Sequence, residues 1–549
     1  MSTSNQQYPK DKSFTFTSGA FNGVDDSVEP YDDQPNLMTD AKNGYFPDPQ
    51  GGSGFYARPG CTKSTAPASV QDCREVFSCI SAGIVYNFVM LTKAGVGKLY
   101  RLSGTFPAVT YTDVTPVGVA ISNLNPGGGA IFMTQLNNQL IVSDGTNRPW
   151  IGTNLGATPI TGTYIDADGS GTSWASIGEP QVYQGSLFFI SVTTFANVTA
   201  NISIIWSEPN QPSVGYMQSG YADFWNLIQT GTTPLYALKA TNSGLYYFRV
   251  NSIGLLTGTP SINFQNTATH DVVSANIGTV SSKTVKAFSN FIYFCDAVGR
   301  PWRMAIGGNP EPIWLKMRAQ YEAFGPCPSQ LMQHNAWAVV EPNLNKYICF
   351  LPWSLATDNN PNTGYVFDAV TGGYEGRWQV GDWGTSNGPV LLVVGGIIVD
   401  ASTSNNSWLL IIGSSDNIGS NYGTAWGLNT IGGGVWNDGA GAAVMPILAQ
   451  TQRLGYSAST EWTLNTVRAI AASVTPISLT STASEGVVSQ GTQTPPASSD
   501  QTNLAQWQPQ NTMGRGFLLQ LAPTTATSQW RLFRVEGDCT AADVVAGAA

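Results

Sequence analysis

Charged residues are scarce in this chain. Asp, Glu, Lys and Arg make up 11% of its 549 residues, whereas soluble domains average about 25%. The 25 Lys and Arg residues against 35 Asp and Glu residues give a net charge of −10. Because affinity for a phosphate backbone comes from clustered cations, this balance argues against tight binding to nucleic acid. A hydrophobic fraction of 42% excludes a disordered chain.

Cysteines are few, odd in number and without a Cys-x-x-Cys pair. All seven are expected to be buried free thiols in a reducing compartment. The first residues have neither a basic start nor an apolar core, so no secretory signal is expected. The longest apolar run, Val390 to Val399, is about half of what a membrane helix needs, which predicts no membrane-spanning segment.

Residues that carry chemistry are also rare. His270 and His334 are the only histidines, and neither has metal-ligand spacing or a nearby nucleophile motif, so both are interpreted as structural or surface residues. The segment Asp166-Ala167-Asp168-Gly169-Ser170-Gly171 resembles half of a calcium loop, but Ile177 stands where the completing Glu would be. An Asx turn is favoured there. We predict no enzyme activity, no metal and no cofactor.

Uninterrupted stretches with a helical period are missing, because 59 Gly and 32 Pro residues punctuate the chain. What recurs is a turn of Asn, Gly or Ser followed by a short aliphatic or aromatic run, which is typical of strands in hairpins. The sequence therefore predicts an all-β protein. The markers of this pattern are Leu140, Leu187, Leu245, Ile292, Ile348 and Leu409.

The pattern extends back to Ile84 and forward to Leu464 and Leu518, with a marker about every 54 residues. A period of this kind, with four short strands in each repeat, is that of propeller blades widened by loops. The prediction is a β-propeller of seven or eight blades over residues 61–549. The polar, Asp-rich and Pro-rich residues 1–60 are predicted to form an extended N-terminal arm.

Two long stretches, from Pro149 to Leu238 and from Trp378 to Gln452, contain no Lys or Arg. Such stretches cannot form surfaces rich in salt bridges. Two interpretations stay open: they pack against another subunit, or they face a space where cations are unwanted.

Several short motifs resemble, in order, those of one family. They begin with Asn43-Gly44-Tyr45-Phe46-Pro47 and Gly54-Phe55-Tyr56-Ala57-Arg58-Pro59-Gly60 and continue through Ile205-Trp206-Ser207-Glu208-Pro209, Gly299-Arg300-Pro301, Gly376-Arg377-Trp378 and Gly514-Arg515-Gly516-Phe517-Leu518-Leu519. From about Asn43 to Val535 the chain is similar to the tail nozzle, or tail tubular protein B-like, proteins of short-tailed bacteriophages (podoviruses).

This resemblance implies a structural virion protein of the viral tail, synthesised in the host cytoplasm. Family members form a six-subunit ring of β-propeller subunits below the portal and adaptor, through which DNA is ejected. The implied partners are further copies of the chain in a hexamer, the head-to-tail adaptor, tail fibres or spikes, a distal plug or needle, and passing double-stranded DNA bound weakly and non-specifically.

Two other classes of function remain as alternatives. A glycan-binding or glycan-degrading propeller would use aromatic side chains to stack on sugars, and the candidates are Trp302, Trp314, Trp337, Trp353 and Trp378. Packing between blades is the favoured role for these tryptophans. A phage receptor-binding adhesin would have the same Ser/Thr/Asn-rich surface, and assembly state would separate it from a ring subunit.

A channel for DNA should not adhere to it, because each phosphate contact with a cation adds affinity. Loops from the two cation-free stretches are therefore predicted to line or narrow the lumen of the ring. Burial of these stretches between subunits is the equally weighted alternative. The candidate lumen residues are Asp166, Asp168, Asp223, Asp382 and Asp416.

Overall fold

The computed structural model describes most of the chain between residues 13 and 541. The described residues are 13–19, 21, 23–25, 37–47, 54–63, 70–93, 96–104, 108–121, 131–166, 173–194, 198, 200–215, 224–226, 233–353, 361, 363–379, 381–382, 388–389, 391–399, 408–415, 424–429, 447–451, 461–472, 476–483, 486–493, 504–509, 512–524 and 530–541.

Seven antiparallel sheets follow one another along the chain and close into a ring. Each has four main strands, and the first strand of each sheet contacts the first strand of the next. The first strand of the seventh sheet contacts that of the first, which completes the circle. This arrangement is a seven-bladed β-propeller, and it confirms the all-β propeller prediction.

The blades are numbered in chain order. Blade 1 contains Val70–Ser81, Ile84–Lys93, Val96–Ser103 and Thr110–Asp113. Blade 2 contains Phe132–Leu136, Gln139–Ser143, Trp150–Thr153 and Thr161–Tyr164. Blade 3 contains Ser176–Tyr183, Ser186–Ser191, Ser203–Glu208 and Gln211–Gly215, with Phe224–Asn226 also paired to its third strand. Blade 4 contains Leu235–Thr241, Gly244–Arg249, Ile253–Thr257 and Thr269–Ser274.

The remaining blades include the two shortest outer strands, of three residues each, in blades 5 and 7. Blade 5 contains Lys286–Phe288, Phe291–Cys295, Pro301–Ala305 and Pro310–Pro312. Blade 6 contains Trp337–Glu341, Lys346–Phe350, Gly364–Asp368 and Tyr374–Trp378. Blade 7 contains Leu391–Val399, Trp408–Ser415, Thr424–Asn429 and Cys61–Lys63, and a two-stranded ribbon, Gly381–Asp382 with Gly388–Pro389, lies between blades 6 and 7 in the chain.

The predicted repeat corresponds to one strand type. Each of the seven markers from Ile84 to Leu409 lies in the second strand of its blade. The turn before that strand uses left-handed backbone, with φ of 55° at Asn137, 53° at Ser289 and 55° at Asn345. Asn and Gly tolerate this conformation better than other residues, which explains the turn composition seen in the sequence. These turns define the hairpin face of the propeller.

Blade 7 is closed by a strand from far upstream. Its outer strand, Cys61–Lys63, pairs antiparallel with Trp426–Leu428 in the third strand of the blade. The strand that precedes blade 1 in the sequence is therefore hydrogen-bonded into blade 7, the last blade, and this pairing closes the ring.

The chain ends form a second unit, here called the terminal unit. One of its sheets has the strand order Gly44–Tyr45, Phe55–Ala57, Arg531–Ala541, Trp462–Ala472 and Leu504–Trp507, with Ser13–Gly19 and Met513–Gly514 paired at its sides. The other has Leu37–Lys42, Leu448–Thr451, Leu518–Pro523, Ile477–Ala483 and Gly486–Gln493, with Gly23–Val24 beside the first of these. Alternate residues of Ile477–Ala483 and Leu518–Pro523 are buried, as expected of sheets with one face toward a core.

The predicted domain boundaries therefore need correction. The described strands between Ser13 and Ala57 belong to no blade. They pair in the same sheets as the strands between Leu448 and Ala541 instead of remaining a separate extended arm. The propeller ends at Asn429, so Leu464 and Leu518 mark strands of the terminal unit and not further blades. Short strands with aliphatic residues occur in both kinds of sheet, which is why the sequence markers continued past the last blade. Burial differs between them: the second strands of blades 3, 4 and 6 are buried along their whole length, whereas Ile477–Ala483 and Leu518–Pro523 are buried at alternate residues.

The terminal unit is joined to blade 6. Lys42 pairs in parallel with Arg377 of the outer strand, and the Arg377 guanidinium donates to Asp40 Oδ2 at 2.6 Å. Gly376 allows this approach: its φ is 108°, and a Cβ there would lie 2.4 Å from the Ala41 carbonyl oxygen. One continuous core of buried side chains runs from blades 5 and 6 into the terminal unit.

Within the described residues, helix is confined to short segments. They are Phe264–Thr267, Ser282–Thr284, Trp314–Met317, Arg318–Phe324 and Ser329–Asn335. None of these is long and apolar enough to cross a membrane. All seven cysteines are buried and none of them is in a disulfide, which confirms that part of the cysteine prediction.

Candidate functional site: the central channel of the propeller

The first strands of the seven blades surround a cavity of about 400 Å³ on the axis of the ring. Every blade contributes side chains or backbone to its wall. One lining residue from each blade, in order, is Glu75, Phe132, Glu179, Lys239, Lys286, Trp337 and Val394. The channel is therefore a site assembled by the whole propeller.

Five ionisable residues form what we call the charge belt of this channel: Glu75, Glu179, Lys239, Lys283 and Lys286. Lys283 Nζ lies 2.9 Å from Glu75 Oε2 and donates to the Arg74 carbonyl oxygen at 2.6 Å. Glu179 lies between the other two lysines, with its carboxylate oxygens 3.8 Å from Lys239 Nζ and 3.9 Å from Lys286 Nζ. The belt holds three cations and two anions.

In the charge belt, burial and neighbouring charges of opposite sign shift the pKa values in opposite directions. Burial raises the pKa of Glu75 in spite of the nearby Lys283. Burial alone would raise the pKa of Glu179 too, but Lys239 and Lys286 together with a Gln181 hydrogen bond hold it below its usual value. Burial lowers the pKa of Lys239; Glu179 opposes this shift and Lys286 adds to it.

The remainder of the channel wall is mainly apolar. Val76, Met133, Val339, Val394 and Ile397 are among the residues that line it. At the hairpin face the wall is fixed by hydrogen bonds between blades 1 and 2. The Ile80 amide donates to Gln135 Oε1 at 2.9 Å, and Ile80 itself is 52% exposed. The cavity thus reaches solvent at the hairpin face.

A second cluster of charges lies where blade 6 meets the terminal unit. Lys346, which is fully buried, donates to Glu375 Oε1 at 2.7 Å, to Asp368 Oδ2 at 3.1 Å and to the Phe46 carbonyl oxygen at 2.9 Å. The Phe46 amide donates in turn to Glu375 Oε2 at 3.3 Å. This cluster fastens the N-terminal segment to blade 6, so its role is structural.

The Arg-Pro-Gly turn that contributed to the family resemblance is also built into this junction. The buried Arg58 guanidinium donates to Asn43 Oδ1, to the Pro59 carbonyl oxygen and to the Gln379 carbonyl oxygen, at 3.2, 2.8 and 2.7 Å. Arg58, which shortly precedes the closing strand Cys61–Lys63 in the chain, therefore connects the terminal unit to the end of blade 6.

The two histidines lie apart from the channel belt. His270 Nε2 is hydrogen-bonded to the Tyr247 hydroxyl in blade 4, and burial lowers its pKa. His334 lies in the helix Ser329–Asn335, where burial and then Arg74 lower its pKa. In the described part of the chain, no group of three or more His, Cys, Asp or Glu residues could hold a metal ion.

Most of the predicted lumen residues lie outside the described residues. This applies to Asp168, Asp223 and Asp416 and to the rest of the calcium-loop segment after Asp166. Asp166 follows the outer strand of blade 2 and is partly exposed. The backbone of Asp382 pairs with Gly388 in the ribbon after blade 6. The structure does not bring these two together, because blades 2 and 6 are not neighbours in the ring.

The tryptophans proposed for sugar stacking are mostly packed in the fold. Trp337 and Trp378 are 1% and 2% exposed; Trp337 stacks on Phe350, and Trp378 donates to the Gly44 carbonyl oxygen at 2.7 Å. Trp353 is buried against Tyr365. Trp302 donates to Asp296, and Trp314 lies under the Arg300 guanidinium.

Sequence reasoning missed the charge belt. Its members are single charges in blades 1, 3, 4 and 5 and in the segment before blade 5, spread over more than 200 residues. One signal was present: Lys239 and Lys286 each interrupt or border an apolar first strand, where a charge is unusual. Glu75 gave no such signal, since its strand also contains Asp72 and Arg74.

None of the protein-family models compared with this chain matches it, and no curated protein does. Similar solved structures include BamB from Moraxella catarrhalis (9% identity, TM-score 0.32, 68% of this chain and 91% of that chain) and the Dos1 propeller (8%, 0.35, 77% and 96%). PorZ of Porphyromonas gingivalis is similar over 74% of this chain and 44% of its own, at 13% identity and a TM-score of 0.38. The fold assignment rests on the seven sheets and their closed order: the chain is a seven-bladed β-propeller with a β-sheet unit made from its two ends.

Proposed function

We propose that this protein is a structural subunit of a phage tail nozzle ring, located in the virion below the portal and adaptor, where it forms part of the wall of the conduit for DNA ejection. The proposal begins from the motif resemblance described above. The observation that carries it further is that the described N-terminal and C-terminal strands are paired with each other and with the propeller.

This pairing takes place at two points. Cys61–Lys63 completes blade 7, and the terminal unit pairs the N-terminal strands with the C-terminal ones while it is fastened to blade 6. The buried Lys346 cluster and Arg58 add charge-assisted hydrogen bonds at this junction. A subunit wall that must hold its shape while DNA passes benefits from such closure, since the paired N-terminal and C-terminal strands must separate from each other before either can unfold.

DNA would pass between subunits and not through a single propeller. The channel cavity of about 400 Å³ is crossed by the Glu75–Lys283 ion pair. Duplex DNA, whose major groove alone is about 12 Å wide, does not fit such a space. The conduit of the proposal is therefore the central opening of a ring of subunits.

The two cation-free stretches support the same arrangement. They include blade 3 and the first three strands of blade 7, which lie on nearly opposite sides of the seven-bladed ring. A closed head-to-tail ring joins opposite flanks of neighbouring subunits. Interface cores are depleted in charge, so one or both flanks suit subunit contacts as well as a lumen that does not retain DNA.

The test is electron microscopy and mass measurement of the purified chain, alone and with the head-to-tail adaptor. We expect a ring with a central opening and six subunits. A particle that stays monomeric under both conditions would refute the proposal, and a trimer would favour the receptor-binding adhesin. Release of oligosaccharides from capsular or lipopolysaccharide fragments would favour the glycan-degrading alternative.

A further inference from the structure

We propose that the central channel of the propeller binds a small organic anion, a monocarboxylate with a short aliphatic body, and that its carboxylate lies between Lys239 and Lys286. This site is independent of the role in a tail ring, because it is contained within one subunit.

The first argument is the distribution of charge in the belt. Three lysines face two glutamates, which leaves one positive charge in excess inside the channel. A partly buried charge without a counterion is costly. A ligand with one negative charge would balance the belt, whereas a cation would be repelled by the excess charge and a dianion by Glu75 and Glu179.

The second argument is the geometry around Glu179. Lys283 Nζ has two acceptors at hydrogen-bond distance, the Glu75 carboxylate at 2.9 Å and the Arg74 carbonyl oxygen at 2.6 Å. Lys239 and Lys286 instead share Glu179 at 3.8 and 3.9 Å, which is longer than a hydrogen bond. Each ammonium group has three donors. Acceptors at hydrogen-bond distance from both lysines are what a ligand carboxylate would supply.

The third argument is the remainder of the cavity. Its volume of about 400 Å³ falls within the range of about 300–1,000 Å³ typical of small-molecule sites. Apolar side chains including Val76, Met133 and Ile397 line it, and Ile80 at the hairpin face is half exposed. A ligand that enters from this face would place an aliphatic body against these side chains and its carboxylate at the belt.

The experiment is isothermal titration calorimetry of the purified full chain with octanoate near neutral pH, with octanol, octylamine and inorganic phosphate as comparison probes. We expect saturable binding of octanoate at one site per chain and weaker binding of the other three. Lys239→Met and Lys286→Met should each weaken octanoate binding about ten- to a hundredfold, because each removes a charge-assisted hydrogen bond.

Two further variants make the result specific. Glu179→Gln should strengthen octanoate binding, since it removes the carboxylate that competes for both lysines. Lys98→Met is the matched control: Lys98 pairs with Asp113 on the outer strands of blade 1, away from the channel, and octanoate affinity should not change. Circular dichroism and melting temperature of each variant establish that it is folded.

The proposal is overturned if octanoate does not bind, or if octanol or phosphate binds as tightly as octanoate. It is also overturned if Lys98→Met weakens binding as much as Lys239→Met does, or if Glu179→Gln folds but weakens binding. None of these outcomes depends on ring assembly, so failure here is distinguishable from failure of the proposed function.

Discussion

Lys346 and Glu375 form an ion pair inside blade 6, with Nζ of the lysine 2.7 Å from Oε1 of the glutamate and both side chains almost completely inaccessible to solvent. The same ammonium group reaches Asp368 at 3.1 Å and the Phe46 carbonyl oxygen at 2.9 Å. One buried cation therefore pairs with two carboxyl groups of blade 6 and also holds the backbone of the N-terminal segment.

Lys346→Met should destabilise the protein by about 3–5 kcal/mol, because it leaves two buried carboxylates without their partner. Chemical denaturation at neutral pH measures this change in the free energy of unfolding. Arg318→Met is the control, since the Arg318–Glu322 pair is exposed and should contribute at most about 1 kcal/mol. Equal effects of the two substitutions would contradict the role assigned to Lys346.

Stability should depend on pH through Glu375. Burial raises its pKa to about 7, although Lys346 opposes the shift, from 4.5 for the unconstrained side chain. Between these values the folded state holds a proton that the unfolded state has released, so this contribution to stability falls as pH rises from 4.5 to 7. The free energy of unfolding of the wild type minus that of Glu375→Gln should decrease across this range by an amount on the order of 3 kcal/mol.

Asp368 does not obscure that measurement. Burial alone would raise its pKa, but Lys346 and hydrogen bonds from Thr371 outweigh burial and hold it below 3.8. Its contribution is therefore lost only as pH falls below the range in which Glu375 titrates. Parallel stability curves for wild type and Glu375→Gln between pH 4.5 and 7 would show that Glu375 does not titrate there.

Arg58→Lys should destabilise the junction of the terminal unit and blade 6 by about 1–3 kcal/mol. Three separate nitrogens of the guanidinium serve three acceptors, and a single ammonium group cannot reproduce that fork. Melting temperature and denaturant midpoint provide the measurement. The matched change Arg534→Lys, at a partly exposed side chain paired with Glu536, should leave both values nearly unaltered.

All seven cysteines should react with a thiol reagent in denaturant, because none of them is in a disulfide. In the native protein at pH 8 the reaction should be slow, since the thiols are buried and burial raises the pKa of Cys79 to about 12. Fast labelling of native protein would contradict their burial, and fewer than seven thiols in denaturant would indicate disulfides.

The sequence predicted the propeller well where one pattern sufficed. The markers from Ile84 to Leu409 identify the second strand of every blade because hairpin turns with left-handed residues precede apolar strands. The pattern could not show where the propeller stops. Leu464 and Leu518 also lie in strands with aliphatic residues, but those strands pair with other strands of the terminal unit and belong to no blade.

The channel site could not be predicted, since the belt exists only when blades 1, 3, 4 and 5 meet on the axis. Glu179 lies near Lys239 and Lys286 because blades 3, 4 and 5 meet on the axis of the ring, although the three residues are far apart in sequence. The five lumen aspartates remain a prediction about an assembly of several subunits. Within one subunit, Asp166 and Asp382 lie beside different, non-neighbouring blades.

The strand Cys61–Lys63 has a consequence for the order of events on the ribosome. Its partner, Trp426–Leu428, is made more than 350 residues later, a delay of roughly 20 to 70 s at typical rates of synthesis. Throughout this interval six blades can form, but the circle cannot close, and residues 13–57 wait even longer for 447–541. The described N-terminal strands are thus synthesised long before their partners and are among the last to fold. A nascent chain that carries such unpaired strands is exposed to mispairing with its neighbours on the same messenger RNA.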